Sequence, residues 1–534
     1  MTKRLTDDEA EMNHGPFSSV TLIIDGITED LILDGERNDH HSYVGNELEN
    51  QLGQLSVVAT SEGTNNGELV VKFNEPPVDK GYAWVVALCG TLAIFATWGA
   101  NAGYGIFLNY YLSNNTFPGA TKYDFALIGS LVFFCGLALS PVAALLYNVF
   151  GFRILIIIGI ILQTAAYIMA SFATQLWQLY LTQGILVGVA LVIIFLPTTL
   201  VLPTHFDHYL STAMGIAALG IGLGGLVYSF CIHAVIETYG SYRWALRMVG
   251  LSSMVACLIA AIFIKPRVKT QLPLKQTLTK KFISENYKII FNYKIFKLYP
   301  MISLSMWYGL AFLGYVLCLF SLAPYATLMG LNTSQGTIIT ALVNVGQMIG
   351  RPCMGLFADK FGRHNFTIIM NSCVAILIYA WWINASTFGS LIGFSVMLGL
   401  FFGVSSTMGQ SLAFDIVENP ENYPGSWSGL NAMGGVFALV SEVIALKLVR
   451  TNSTKPYLHA QIFAGSCFAG GIIFLLINRE WLVRRKLSRW RDEDLLSKTG
   501  SDIETVENRI RRYDLLLKKN IFSFTLRMFY PTRT

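Results

Sequence analysis

Residues 177–202 form the run WQLYLTQGILVGVALVIIFLPTTLVL, which contains no charged side chain. A helix needs roughly 20 apolar residues to cross the hydrocarbon core of a bilayer. The segment has to be helical there, because backbone polar groups without hydrogen bonds are very costly in hydrocarbon. This run therefore predicts a transmembrane helix.

Eleven more runs of the same kind lie on either side of it. They cover 84–110, 125–147, 153–173, 211–236, 244–264, 299–324, 334–358, 365–385, 388–412, 427–449 and 459–478. The 534 residues are 53% hydrophobic and 13% charged, which is about half the charged fraction of a soluble domain. We therefore expect an all-α integral membrane protein with twelve transmembrane helices.

The charged residues divide the chain into five regions. Residues 1–78 are polar and acidic without periodicity, which predicts a disordered cytosolic tail. Six helices at 79–264 and six at 299–478 predict two pseudo-symmetric bundles. A basic linker at 265–298 joins the bundles, and a basic cytosolic tail follows at 479–534.

The distribution of lysine and arginine predicts the orientation. Basic residues fill the linker and the C-terminal tail, so the positive-inside rule puts both in the cytosol. An even number of helices then makes the N-terminus cytosolic as well. The residues after Trp481 alternate between basic and apolar, which fits either a helix lying on an anionic leaflet or a solvated basic tail.

Four N-x-[ST] sequons lie in or beside the loops expected outside the cytosol, and we predict that they are glycosylated. They are Asn114, Asn332, Asn384 and Asn452. A fifth sequon, at Asn365, falls at a cytosolic edge and is expected to be unused.

The stretch GLFADKFGR at 355–363 carries a carboxylate and two cations at a glycine turn. It resembles the loop signature G-x-x-x-D-[RK]-x-G-R of the major facilitator superfamily, which implies that fold. Asp359, Lys360, Gly362 and Arg363 are accordingly predicted as a gating motif that clamps helix ends and separates when the two halves rock. The alternative is an ordinary positive-inside loop.

The stretch DKGYAWVV at 79–86 lies just before the first helix. It resembles the D-G-[GS]-[YFW]-G-W-[VM]-V motif of the monocarboxylate porter family. The small residues that follow 205–209 match a second stretch of that family, and the resemblance is closest to its fungal branch. It implies transport of a monocarboxylate or a related solute.

Arg351 lies well inside the eighth predicted helix, where an ionisable group is costly and indicates function. Asn344, Gln347 and Arg351 fall at i, i+3 and i+7 on one helical face. A guanidinium on such a polar stripe could hold a carboxylate through two parallel hydrogen bonds. Alternatively, Arg351 extends to the cytosolic face or pairs with Asp359.

The family resemblance implies the same role for Arg351, because animal monocarboxylate porters carry an arginine before a proline here, matched by Arg351 and Pro352. Those porters have an aspartate where this chain has Gln347, and a lysine where it has Ala102. Lactate/proton symport by the same groups is therefore not expected. The predicted substrate site consists of Arg351, Gln347, Asn344, Asn101, Tyr104 and Tyr315.

Another group would then have to carry a coupling proton. Glu442 lies on a stripe of small residues in the eleventh helix and is one candidate. Its alternative role is a structural hydrogen bond at a helix interface. His233, with Glu237 one turn later, is the second candidate, although a position at the lumenal edge is expected for this pair.

Several functions are excluded by what the sequence lacks. It has no Walker motif, nucleophile elbow or HExxH motif, so we expect neither a pump nor an enzyme. All eight cysteines fall inside predicted helices without metal-binding spacing, so no metal or cofactor is expected. The glycines between 220 and 225 predict close helix packing rather than a nucleotide site.

The sequence therefore predicts a secondary active or facilitative transporter that works by alternating access. The expected solute is a monocarboxylate or a related organic anion, with protons as a second partner, the bilayer as surroundings, and no nucleic acid. The alternatives are a facilitator of a larger neutral or planar nutrient such as a vitamin, or a non-transporting sensor. The plasma membrane is the expected location, but the acidic dileucine-like DEDLL at 492–496 leaves a vacuolar or endosomal membrane open.

Overall fold

The computed structural model describes residues 78–267, 274–417, 422–450, 455–496 and 503–530. Every regular element in those ranges is a helix, as expected for a chain that must satisfy its own backbone groups in lipid. The predicted tail up to residue 77 and the sequon at Asn452 lie outside the described residues.

The N-terminal half contains six long helices. They are α1 (Tyr82–Ser113), α2 (Lys122–Ala138), α3 (Ser140–Ser171), α4 (Leu176–Thr204), α5 (Leu210–Tyr239) and α6 (Tyr242–Phe263). Three short helices follow in the linker, namely α7 (Leu274–Thr277), α8 (Lys280–Ile290) and α9 (Tyr293–Lys297).

The C-terminal half contains six more long helices. They are α10 (Tyr299–Leu328), α11 (Thr333–Phe361), α12 (Arg363–Asn384), α13 (Phe388–Ile416), α14 (Tyr423–Leu448) and α15 (Leu458–Leu496). Two helices of the tail complete the described chain, α16 (Ile503–Leu517) and α17 (Ile521–Met528).

Helix boundaries follow capping chemistry that the sequence carries. α2 begins with a capping box, in which the side chains of Thr121 and Asp124 each accept a bond from the other residue's backbone N–H. Asn332 and Gln335 form the same arrangement before α11. α5 ends at Gly240, whose φ of 62° favours glycine.

All twelve predicted spans are helical. Among the described residues, ten helices qualify as spans by length and apolar character. One of these, α3, contains parts of two predicted spans, because a kink at Gly151 (φ 75°, ψ 171°) joins two helices there. The second span was predicted as one continuous helix. It consists instead of the 17 residues of α2 and the first part of α3, separated by a break at Leu139. The remaining span is α11, which carries the polar stripe.

The most extensive contacts between the two halves join α5 to α11 and α2 to α14. Glycines let α5 approach two helices at once: a Cβ on Gly224 would lie 2.6 Å from Cα of Gly99 in α1, and a Cβ on Gly222 would lie 2.7 Å from the Asn344 carbonyl oxygen of α11. The predicted role of this glycine run in close packing is confirmed.

We call the end of the bundle that carries the linker the linker face. α6 ends there, α10 begins there, and the turn between α11 and α12 lies there. The last span was predicted to end at residue 478. In the structure α15 continues as one helix to Leu496. The first part of the predicted tail is therefore an extension of the last span.

Candidate functional site

Arg351 lies on α11, ten residues before that helix ends at Phe361, where α11 packs against α5. Its side chain is fully buried. One guanidinium nitrogen donates to the Ala218 carbonyl of α5 at 2.8 Å, and the other donates to Oε1 of Gln347 at 2.5 Å. Arg351 therefore neither extends to the linker face nor pairs with Asp359, which were the alternative interpretations.

Room for this side chain comes from a glycine that the sequence did not single out. Gly403 lies at a break in α13, and a Cβ there would come within 2.5 Å of Nε of Arg351. A glycine in an apolar helix is too common a feature to identify this contact from sequence.

The polar stripe of α11 is assembled largely as its spacing predicts. Asn344 and Gln347 are buried with Arg351. The Tyr315 hydroxyl of α10 donates to Oε1 of Gln347 at 3.2 Å, so that oxygen accepts two hydrogen bonds. Two donors remain without a partner among the described residues, namely Nε of Arg351 and Nε2 of Gln347. We call Asn344, Gln347, Arg351 and Tyr315 the arginine cluster.

Asn101 and Tyr104 belong to a different group of side chains. They line a small cavity of about 10 Å³ inside the N-terminal half, together with Gln183 of α4. The Tyr104 hydroxyl donates to the Phe125 carbonyl at 2.8 Å. The predicted site residues thus fall into two groups rather than one.

The position of Ala102 brings the two groups near each other. A Cβ placed on Gly225 of α5 would lie 3.0 Å from Cγ of Asn344 and 3.1 Å from Cβ of Ala102. The position at which the related porters carry a lysine is therefore close to the arginine cluster.

Glu442 is buried where α14 packs against α2, at the boundary between the two halves. Its carboxyl faces the Ser130 hydroxyl, and its Oε2 lies 3.8 Å from the place where a Cβ on Gly129 would be. The Tyr104 ring packs against the same glycine. Oε2 has no hydrogen-bond partner among the described residues.

His233 is placed differently from Glu442. Its side chain is 56% exposed and pairs with Glu237 at 3.5 Å within α5. The pair is close to the end of that helix away from the linker face, as expected for an edge position.

The gating motif connects the two halves at the linker face. Asp359, at the end of α11, accepts hydrogen bonds from the Thr212 backbone N–H and the Thr212 hydroxyl, both at 2.8 Å. The Ser211 backbone N–H adds a third at 3.3 Å. The carboxylate thus caps the positive N-terminal end of α5.

Arg363 holds the other side of the motif. It donates to Oδ1 of Asp359 at 3.4 Å and to Oδ1 of Asp415 in α13 at 2.6 Å. It also donates to the Asp207 carbonyl of the N-terminal half at 3.3 Å. Gly362, with φ of 94°, makes the turn that brings Arg363 back, while Lys360 is exposed.

Further bonds cross between the halves near this face and were missed by sequence reasoning. The Trp427 indole N–H of α14 donates to the Thr199 hydroxyl of α4 at 3.1 Å. Gln410 of α13 donates to the Thr199 carbonyl. These contacts join residues more than 200 positions apart. No local sequence pattern predicts them.

The predicted glycosylation sites Asn114, Asn332 and Asn384 are all exposed. Each lies at a helix end opposite the linker face. Asn365 lies at the linker face instead, where it accepts a hydrogen bond from Arg479.

The chain is similar in sequence to membrane transporters. The Major Facilitator Superfamily profile matches residues 86–441. A Saccharomyces cerevisiae protein described as "Uncharacterized transporter ESBP6" is 39% identical over 500 residues, covering 91% of this chain and 73% of that protein. The same organism's "Probable transporter MCH2" is 33% identical over 450 residues, covering 84% of this chain and 90% of that protein.

Solved structures show the same fold. The proton:xylose symporter XylE superimposes with a TM-score of 0.60 at 12% identity, covering 74% of this chain and 95% of the other. The E. coli fucose:proton symporter FucP gives 0.55 at 15% identity, covering 75% and 99%. At these identities the likeness concerns the fold alone.

Together these findings define a multi-pass membrane transporter of the two-bundle type, and the similar proteins are transporters rather than enzymes. The chain belongs to the major facilitator superfamily. Its partner is accordingly a small solute.

Proposed function

We propose that the protein carries a small organic anion, a monocarboxylate or a relative of one, across the membrane by alternating access. The main support is a buried guanidinium that has no carboxylate partner in the part of the chain that the structure describes. Arg351 is fully buried. None of the acidic side chains among the described residues interacts electrostatically with its guanidinium. A buried charge left without a counter-charge is costly, and an anionic solute would supply the counter-charge.

The hydrogen-bonding capacity of the arginine cluster supports the same solute. Nε of Arg351 and Nε2 of Gln347 are buried donors that have no acceptor among the described residues. A carboxylate offers two oxygens that accept from such donors. A neutral solute could satisfy the donors but would leave the charge uncompensated.

Glu442 is the proposed proton carrier. It is buried at the boundary between the halves, where the charged form of a carboxyl is costly and a neutralising proton is favoured. The boundary is also where solvent access changes when the halves rock. His233 is less suited, because its side chain is exposed and lies beside Glu237 on the surface of α5.

Orientation and location belong to the same proposal. Basic residues of the linker and the tail favour a cytosolic linker face, with both termini in the cytosol. In this orientation the gating motif closes the cytosolic side. The plasma membrane is the proposed location. The proposed solute class is supported separately, by the resemblance to the monocarboxylate porter family.

The test is uptake of labelled monocarboxylates and of neutral solutes into proteoliposomes, with wild type and two variants of Arg351. Arg351→Gln removes the charge, and Arg351→Lys keeps the charge but loses the planar fork. We expect anion uptake to be lost with glutamine and strongly reduced with lysine. Arg243→Gln is the matched control, because it removes one charge from an exposed position at the start of α6.

Anion uptake that survives in Arg351→Gln would contradict the proposed site. Uptake of a neutral solute alone, unaffected by Arg351→Gln, would favour the neutral-nutrient alternative. Absence of transport for every solute in correctly folded wild type would favour the sensor.

A further inference from the structure

The last described helix, α17, has its polar side turned toward the protein. Ser523 and Arg527, one turn apart, are buried, and the Ser523 hydroxyl donates to the Leu515 carbonyl at 3.0 Å. A helix on the surface of a soluble protein has the opposite arrangement, with its apolar side inward.

A buried ion pair holds α17 to the last span. Nε of Arg527 lies 2.5 Å from Oε1 of Glu480, and the side chains of the pair are 4% and 1% exposed. Arg527 also donates to the carbonyls of Leu516 and Lys518. The docking of the tail on α15 therefore depends on a specific contact between residues 47 positions apart.

Arg479 fixes the same C-terminal end of α17. Its guanidinium donates to the carbonyls of Arg527, Met528 and Tyr530, and its Nε donates to Asn365 near the start of α12 at 2.5 Å. The neighbouring Asn478 donates to the Pro300 carbonyl near the start of α10 at 3.0 Å. The end of α17 thus lies at the level of the starts of α10 and α12, where these spans are expected to leave the hydrocarbon.

The outward side of this segment is exposed and, apart from Thr525, apolar. Its members are Ile521 at 86%, Phe522 at 72%, Leu526 at 44% and Phe529 at 69% exposure, and we call them the apolar face of the tail. In water such a set of side chains would be unfavourable. At the level of the membrane surface it is the arrangement of an interfacial helix.

We propose that α17 is an interfacial membrane anchor, whose apolar face inserts into the headgroup region of the leaflet at the linker face. The occupant of this face is the lipid bilayer, because the apolar surface is continuous in depth with the ends of the spans. Lys518 and Lys519, both exposed immediately before the helix, match an anionic leaflet.

The test places a fluorescent reporter on the apolar face in the full-length protein. Exposed Cys231 and Cys353 and the half-buried Cys373 are first replaced by serine. NBD is then attached at Phe522→Cys, and the protein is reconstituted in nanodiscs of phosphatidylcholine alone or with phosphatidylserine. Quenching is measured with a doxyl group on the lipid and with iodide in the water.

The control reporter is Asn508→Cys on α16, which is exposed. Its neighbour Arg509 pairs with Asp494 at 3.2 Å, a residue of α15 about 20 Å beyond Arg479 at 1.5 Å of rise per residue. We expect lipid quenching and iodide protection at position 522, the opposite pattern at position 508, and stronger lipid quenching at 522 with phosphatidylserine.

Iodide quenching at 522 equal to that at 508 would overturn the proposal. Protection from both quenchers would overturn it as well, because it would mean that a protein surface covers the apolar face. Equal lipid quenching in the two lipid mixtures would overturn the anionic preference. Phe529→Cys provides a second reporter on the same face, should a cysteine at 522 disturb the helix.

Discussion

At the scale of single residues, the contact between Gly403 and Arg351 gives a direct prediction. A methyl group at position 403 would come within 2.5 Å of Nε of Arg351, so Gly403→Ala should displace the guanidinium. We expect the apparent KM for the transported anion to rise about tenfold, equivalent to about 1.4 kcal/mol of binding. Uptake kinetics in proteoliposomes measure this change.

Gly389→Ala is the control for that substitution, because it adds the same methyl group in the same helix, α13, where nothing lies within 4 Å. Equal kinetics for the two variants would show that the position of Arg351 does not affect solute binding.

Glu442 gives the second prediction at this scale. Glu442→Gln copies the protonated carboxyl in shape and charge, so the side chain can no longer take up or release a proton. We expect uptake against a gradient and its response to external pH to be lost, while exchange of solute across the membrane continues. Solute counterflow and pH-jump uptake in proteoliposomes distinguish these two activities.

Glu237→Gln separates Glu442 from the other candidate. Glu237 is 70% exposed and pairs with His233. If the pH response disappeared in this variant but persisted in Glu442→Gln, the exposed pair would be the proton carrier.

At the scale of helices, the capping of α5 by Asp359 stabilises the closed linker face. The interaction of a carboxylate with a helix N-terminus contributes about 0.3–2 kcal/mol. Asp359→Asn keeps the shape but removes the charge, so the closed arrangement should be less populated. We expect faster hydrogen exchange at the backbone amides of residues 210–214, measured by mass spectrometry in nanodiscs.

Glu285→Gln serves as the control, because it removes an exposed carboxylate from α8 in the linker. Unchanged exchange in Asp359→Asn would mean that the charge of Asp359 does not hold the two halves together.

Sequence patterns predicted the helices better than their contacts. Apolar runs located all twelve spans, and helical spacing put Asn344, Gln347 and Arg351 on one face. The break at Leu139 and the continuation of α15 past residue 478 were not predicted. Local composition describes how apolar a segment is, whereas breaks and extensions depend on tertiary contacts.

In the candidate site, too, individual residues were easier to predict than their contacts. Arg351 and the gating motif were predicted as site residues because charged residues are conspicuous in an apolar segment. Their partners were not, since the Ala218 carbonyl, Thr212 and Gly403 are ordinary residues of membrane helices. The Asp359–Thr212 bond joins positions 147 apart, and no periodicity connects them.

At the scale of the whole molecule, the placement of the sequons predicts the orientation in the membrane. Asn114, Asn332 and Asn384 are exposed opposite the linker face, so with a cytosolic linker they should carry glycans. The protein is expressed in a eukaryotic cell, and its apparent mass on a gel is compared before and after glycosidase treatment. Each asparagine-to-glutamine variant should lack the mass of one glycan.

Asn365→Gln is the internal comparison, because Asn365 lies at the linker face. We expect no change of mass for this variant. Loss of a glycan from Asn365→Gln, without loss from the other three, would reverse the orientation.

The contacts at the linker face also indicate which bonds a rocking motion must break. The bonds from Asp359 to Thr212 and from Trp427 to Thr199 connect the two halves. The Arg363–Asp415 ion pair lies within the C-terminal half and can persist. Opening of this face therefore breaks cross-half hydrogen bonds while each half moves as a body.

Because α15 is one unbroken helix, its final part moves as a rigid extension of the C-terminal half. Its portion beyond Arg479 extends about 25 Å at 1.5 Å of rise per residue. A tilt of that half by about 10° would move the end of the helix by about 4 Å relative to Arg479, on the scale of other element shifts in conformational switching. A rocking of the two halves is thereby converted into a displacement of the helix end beyond the linker face, at a point where another protein could detect it.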